Sequence, residues 1–224
     1  EYEKPEEDIL LLDATFLSTT PEATMFVPSY ASWLEQTDQS PAYAYLVKLL
    51  KYLQYQRPGK RWVLKSPHHM EFPDLAKKHF KDVHYIWTHR NIAESLPSFL
   101  SMVAHSQTIF SDQVSLDRVA KHWVRKTGYM LSKGIQFRKE NPKEKYTDVM
   151  YPQLIASPMS VLEDIYRFDA SIQENLLARF KETEQQNKQY KYGKHTYKLE
   201  DFGIRQENIN EVVNVYNEFL NTLK

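Results

Sequence analysis

The segment Leu64-Lys-Ser-Pro-His-His69 puts a primary amine, a hydroxyl, a rigid turn and two imidazoles within six residues. Those types at that spacing suit transfer of a charged group. Lys65 can donate to an oxyanion as it develops, and His68 or His69 can take a proton from an attacking hydroxyl. A strand-ending lysine that solvates itself, followed by two histidines capping the next helix, would look the same in isolation. A second segment, Thr88-His-Arg90-Asn-Ile-Ala-Glu94-Ser-Leu-Pro-Ser98, sets an arginine eight positions ahead of a serine. A guanidinium at a strand end and a hydroxyl in the following helix can share one phosphate; an Arg90–Glu94 pair with Ser98 on a solvent face is equally consistent. The third segment is Tyr192-Gly-Lys-His-Thr-Tyr-Lys-Leu-Glu-Asp-Phe-Gly203. Its Gly193, Lys194 and His195 could lay backbone N–H groups and a cation on an anion, with Tyr197 for stacking. A basic loop docked by Phe202 is the plainer alternative.

The elements around these segments follow from period and punctuation. Pro5, Pro21, Pro28 and Pro41 divide the first forty residues into short helical pieces and loops. Ser40 and Pro41 open a helix with Ala42, Leu46, Leu49, Leu50 and Leu53 on one face, ended by Pro58-Gly59. Arg61 to Lys65 and Asp82 to Thr88 are β-prone runs, separated by a short helix from Pro73 to Phe80, and Tyr146 to Tyr151 is a candidate third strand. Asn91 and Glu94 have capping-box spacing at the head of a helix that must accommodate Pro97. The next helix carries Leu116, Val119, Ala120, Trp123, Thr127, Met130 and Leu131 on one face. Helices from Pro158 to Phe168, from Ser171 to about Gln186, and around Val212, Val215, Tyr216 and Phe219 complete the chain. Strands alternating with helices predict a parallel sheet with ligands at the carboxyl ends of the strands. If the strands ending in Lys65 and Arg90 are neighbours, about 4.8 Å apart, two cations converge on one crevice.

Composition limits what that crevice can be. The chain has 224 residues with 29 basic and 29 acidic side chains, so an anion site must be local and not a general basic surface. At 42% apolar residues it can build one core and bury roughly two-thirds of its unfolded surface. The absence of cysteine excludes disulfides, thiol nucleophiles and thiolate metal sites within this chain. No apolar run approaches the roughly 20 residues that span a bilayer.

The three segments in this order resemble the PAPS-dependent sulfotransferases, in the bacterial-type branch with L-K-S-P-x-H, T-H-R-[DN] followed by serine eight residues after the arginine, and G-x-H-x-Y-x-L-E-D-F-G. The upstream Pro5-Glu-Glu-Asp8, Val27 to Leu34 and Tyr43 to Gln54 also resemble that family's helical region. The resemblance implies an α/β fold, a P-loop-NTPase-like parallel sheet flanked by helices. It divides the domain into a helical acceptor-side region (1–60), a nucleotide-binding core (61–151), and C-terminal helices with a 3′-phosphate loop (152–224). It implies transfer of a sulfuryl group from 3′-phosphoadenylyl sulfate (PAPS) to an acceptor hydroxyl or amine of a small molecule, lipid or carbohydrate, leaving adenosine 3′,5′-bisphosphate (PAP). Neither a metal nor nucleic acid is implied. Lys65, Ser66, Arg90, Ser98, Gly193, Lys194 and His195 would hold the donor, Lys65 facing the oxygen that leaves. The base would be His69 or His68, with Glu6 or Glu7 as rivals; His69 is favoured slightly because a histidine titrates nearer neutrality. The cytosolic supply of the donor implies a cytoplasmic protein.

One family feature has no counterpart. The glycine-rich loop P-[RK]-[ST]-G-T-[TS], which holds the 5′-phosphosulfate, is missing, since no glycine precedes Gly59. The expectation is therefore a chain without the family's N-terminal strand, loop and helix, binding the bisphosphate weakly and inactive alone. A non-catalytic nucleotide-binding or interaction module is the alternative. A P-loop kinase of like topology would require G-x-x-x-x-G-K-[ST] and a metal-binding acid.

Overall fold

The computed structural model of the chain describes residues 6–59, 61–167, 174–186 and 197–223. The proline-punctuated start forms α1 (Ile9–Asp13), α2 (Thr20–Thr24) and α3 (Pro28–Gln36), and α4 (Ser40–Gln56) follows. Then come α5 (Pro73–His79), β1 (His84–His89), α6 (Ile92–Gln107), α7 (Leu116–Glu140) and β2 (Lys145–Met150). The chain closes with α8 (Tyr151–Ala156), α9 (Pro158–Tyr166), α10 (Glu174–Gln186) and α11 (Asn210–Asn221). Short 3-10 turns occupy Pro67–Met70, Leu199–Phe202 and Gln206–Ile209.

The two strands pair in parallel, with His84 opposite Lys145 and His89 opposite Met150. The expected α/β architecture with a parallel sheet is thus present, but one expected strand is not. Residues 61–66 form no strand among the described residues, and the sheet neighbour of β1 is β2. Trp62 and Val63 have the right composition, yet both are largely exposed and their backbone has no paired edge here; β-propensity becomes a strand only where a ladder partner exists. Lys65 consequently does not reach Arg90 as a sheet neighbour.

Helix α6 shows how packing overrides local cost. Asn91 caps it by accepting from the Ala93 N–H at 2.9 Å. Pro97 removes one intrahelical bond, a cost of about 3 kcal/mol. Leu96, Leu100 and Val103 on the same helix are buried, and each such side chain contributes about 1.5–3 kcal/mol, so the helix continues to Gln107. They join Val119, Ala120, Trp123 and Ile135 of α7, Tyr216 and Phe219 of α11, and Leu199 and Phe202 in one core. A second cluster joins Leu12 of α1 to Ala42, Leu46 and Leu50 of α4, with Leu64 against it. Gly134 lets α7 approach the sheet, because a Cβ there would meet the Trp87 ring at 3.1 Å. Gly203, at φ +69, supplies the left-handed stop after Leu199–Phe202.

Candidate active site

Lys65 is positioned from the far end of the sequence. Its backbone N–H donates to Asp8 Oδ1 at 2.7 Å, and its ammonium donates to Glu7 Oε1. Leu64 seats this stretch on the α1–α4 cluster, and the Lys65 side chain extends largely into solvent. The next two residues turn the chain: Ser66 Oγ accepts from the His68 N–H at 3.1 Å and starts the 3-10 turn at Pro67.

The two histidines separate completely. His69 Nε2 lies 2.6 Å from Asp8 Oδ2, and its Nδ1 lies 2.7 Å from the Tyr43 hydroxyl. Burial raises the Asp8 pKa, but the His69 bond and charge together with the Lys65 amide pull it below the ordinary aspartate value. Ionised Asp8 only accepts, so Nε2 carries a proton. Burial pushes the Tyr43 hydroxyl well above 10, helped by the Asp8 charge. Tyr43 therefore stays protonated, with its hydroxyl held against Nδ1. His68 is wholly buried against Phe72 and Tyr43, and among the described residues neither ring nitrogen has a hydrogen-bond partner. Burial first, then the neighbouring His69 and Lys126, lowers its pKa to about 3. It is a neutral packing residue without access to a ligand in solvent. Of the tyrosines on this helix, Tyr43 is buried while Tyr45, Tyr52 and Tyr55 are exposed.

Arg90 follows the carboxyl end of β1, and its guanidinium lies 4.4 Å above the Tyr151 ring at the head of α8. Both Arg90 and Ser98 are exposed, and among the described residues neither pairs with a carboxylate. Ser98 sits in the second turn of α6. An open cleft of about 720 Å³ runs from the next turn, Ser101 and His105, to Tyr197 and Asp201; it contains neither Lys65 nor His69. Gly193, Lys194 and His195 lie outside the described residues. Downstream of them, Leu199 and Phe202 are buried in the main core, which anchors the end of that segment.

The sequence offers Asp8 only through its place in Pro5-Glu-Glu-Asp8, and Tyr43 only as one of four tyrosines, with Tyr45, Tyr52 and Tyr55, suited to packing or to lining an acceptor pocket. A buried charge cluster was missed as well. Lys126, which the apolar stripe of α7 does not include, is buried with no exposure, while Thr127, which the stripe includes, is only half-buried. Its ammonium reaches Glu71 at 2.8 Å, Glu35 at 3.1 Å and Glu22 at 3.3 Å. His122 meets Glu22 at 2.7 Å, and Arg125 grips both oxygens of Glu35. Glu71 directly follows the turn that carries His68 and His69, so the cluster ties that turn to α2, α3 and α7. Burial raises Glu71 to about 7, with Glu22 and Glu35 adding to it against the pull of Lys126. Lys126 stays charged: burial lowers its pKa, but the carboxylates outweigh that and raise it. Three carboxylates face one ammonium: Glu71 is held up to about 7, while Arg125 and Lys126 hold Glu35 below the ordinary glutamate range against its burial.

Comparison with known proteins places this geometry in a family. The crystal structure of sulfotransferase STF1 from Mycobacterium tuberculosis H37Rv is similar over 94% of this chain and 55% of its own, with TM-score 0.80 and 28% identity. That of sulfotransferase STF9 from Mycobacterium avium is similar in fold over 96% of this chain and 55% of its own, with TM-score 0.87 and 22% identity. The chain thus spans about half the length of these structures. No curated protein matches it. No helix among the described residues is long and apolar enough to cross a membrane. The sequence profile of the Sulfotransferase family matches residues 1–169, the stretch that carries Asp8, Lys65, His69, Arg90 and Ser98, and the chain belongs to that family.

Proposed function

We propose that this chain carries the acceptor side and the 3′-phosphate side of a sulfotransferase that uses PAPS and releases PAP. In that reaction the acceptor oxygen or nitrogen bonds to sulfur, the bond from sulfur to the leaving phosphate oxygen breaks, and the acceptor's proton passes to a base. The carrying observation is Arg90: an exposed guanidinium at the carboxyl end of β1, held over Tyr151 and paired with no carboxylate among the described residues. An exposed, oriented guanidinium at the strand end, with an exposed serine in the second turn of the helix that follows, suits a phosphate. Lys65 and Ser66 would face the leaving oxygen, and Gly193, Lys194 and His195 would complete the nucleotide side.

For the base, the hydrogen bonds favour Glu7 over His69. Both nitrogens of His69 are engaged, one by Asp8 and one by the buried Tyr43, so neither is free to face an acceptor. Glu7 is accessible and already beside the Lys65 ammonium. His69 then serves to hold Asp8, and Asp8 to hold Lys65. The acceptor is a small molecule, lipid or carbohydrate with a free hydroxyl or amine, and the cytoplasm, where the donor is made, is the proposed location.

Calorimetry with PAP on this chain tests the reading. Charge-assisted bonds contribute about 1.5–3 kcal/mol, so Arg90→Ala should weaken binding at least about tenfold. Equal affinity in the two proteins would overturn it.

A further inference from the structure

The residue before Arg90 is the least expected in this part of the fold. His89 is a buried polar side chain at the end of a strand, packed on Trp87 at 5.3 Å, and both its nitrogens are bonded. Nε2 lies 2.8 Å from Asp148 Oδ1 of β2, and Nδ1 lies 2.7 Å from the Tyr216 hydroxyl of α11. Asp148 also accepts both terminal nitrogens of Arg138 from α7, each at 2.6 Å. Burial raises the Asp148 pKa, but Arg138 and His89 outweigh it and hold the group below the ordinary aspartate value. Burial likewise lowers His89 despite Asp148.

These facts determine the direction of every bond. Ionised Asp148 only accepts, so His89 donates from Nε2 and accepts at Nδ1, and Tyr216 donates to it. The chain of contacts therefore runs from Arg138 through Asp148 to His89, which Tyr216 fixes from its other side, and His89 is the residue bonded through the backbone to Arg90. Apolar side chains beside Trp87 and Phe219 would pack there at lower cost than four polar ones. A fully satisfied polar relay does something packing cannot, which is to specify one orientation.

The geometry points to Tyr216, His89, Asp148 and Arg138 as positioning residues that set the Arg90 backbone, while Tyr151 sets its guanidinium. This rests on Arg90 being the phosphate ligand proposed above. The relay acts on nucleotide affinity through Arg90 and not by touching the nucleotide.

Tyr216→Phe keeps the ring and removes the hydroxyl. The test measures PAP affinity by calorimetry in four forms of this chain: wild type, Tyr216→Phe, Arg90→Ala and the double variant. Loss of one hydrogen bond is expected to weaken binding about fivefold in the wild-type background and not at all once Arg90 is Ala. A purely structural role would weaken both backgrounds alike, and that result, or no change in either, overturns the relay. Failure of Arg90→Ala to weaken binding overturns the phosphate assignment instead, so the two failures are distinct. Tyr151→Leu, made at the surface end of the arrangement, must show the same dependence on Arg90 and gives the answer if Tyr216→Phe does not fold.

Discussion

Replacing Lys65 by Ala is expected to lower kcat at least about 10²-fold in a protein that joins this chain to the family's phosphosulfate loop. A donor aimed at developing oxyanion charge is typically worth that much, and the ammonium here extends into solvent, paired with Glu7. The backbone of Lys65 is held independently through Asp8, so the truncation should remove the charge without moving the turn. Lys65→Arg should recover part of the rate, because the charge returns with a different shape. Unchanged turnover in Lys65→Ala would remove the residue from the mechanism. The same assay divides the two candidate bases. Glu7→Gln should abolish the acid limb of the pH–rate profile, whereas His69→Asn should slow the reaction and keep that limb; the opposite pattern would make His69 the base.

Lys126→Met is expected to lower the unfolding free energy by about 3–5 kcal/mol, the usual consequence of stripping one partner from a buried ion cluster. For a domain of this size that is about 10 °C in Tm. The cause is not lost packing, since Met fills similar space, but Glu22, Glu35 and Glu71 left to repel one another in the interior. Adding Glu71→Gln should restore part of the loss, and the deficit should shrink on acidification as the carboxylates take up protons. A loss within about 1 kcal/mol by denaturant titration would show that the cluster relaxes or hydrates on losing its ammonium.

The same cluster shapes the wild-type stability profile. Glu71 has its folded pKa raised to about 7 from 4.5, so its contribution is complete below pH 4.5 and lost as pH rises through 7. His68 has its folded pKa lowered to about 3 from 6.5, so its contribution is complete above pH 6.5 and lost as pH falls through 3. The two slopes oppose each other between pH 4.5 and 6.5. Glu71→Gln should therefore steepen the rise of stability with pH over that range, as read from urea midpoints.

Much of the framework was legible because it is written in local patterns. Asn91 before an apolar period of 3.6 marks α6, Pro41 marks the head of α4, and β-branched and aromatic residues mark β1. The same logic misled at Arg61 to Lys65, where strand composition meets no ladder partner among the described residues, and it is silent about Lys126, a charge outside the apolar stripe of α7 that is fully buried. A period reports which face is apolar. It does not report which distant carboxylates will come to meet a lysine.

By itself the sequence determined the chemistry available and its order along the chain: Lys65, then Arg90 and Ser98, then the glycine-bearing segment, on an α/β frame of one family. Only the tertiary structure decided which groups act together. Asp8 holds Lys65 and His69 across 57 and 61 residues, and Tyr216 reaches His89 across 127. The physical reason is that hydrogen bonds and ion pairs of this kind require donor and acceptor within about 3 Å, and separations of that length in sequence leave such proximity entirely to the packing of helices against a sheet. The same packing buried His68, left Lys65 in solvent, and so divided three adjacent-looking candidates into one exposed cation, one strut and one core residue.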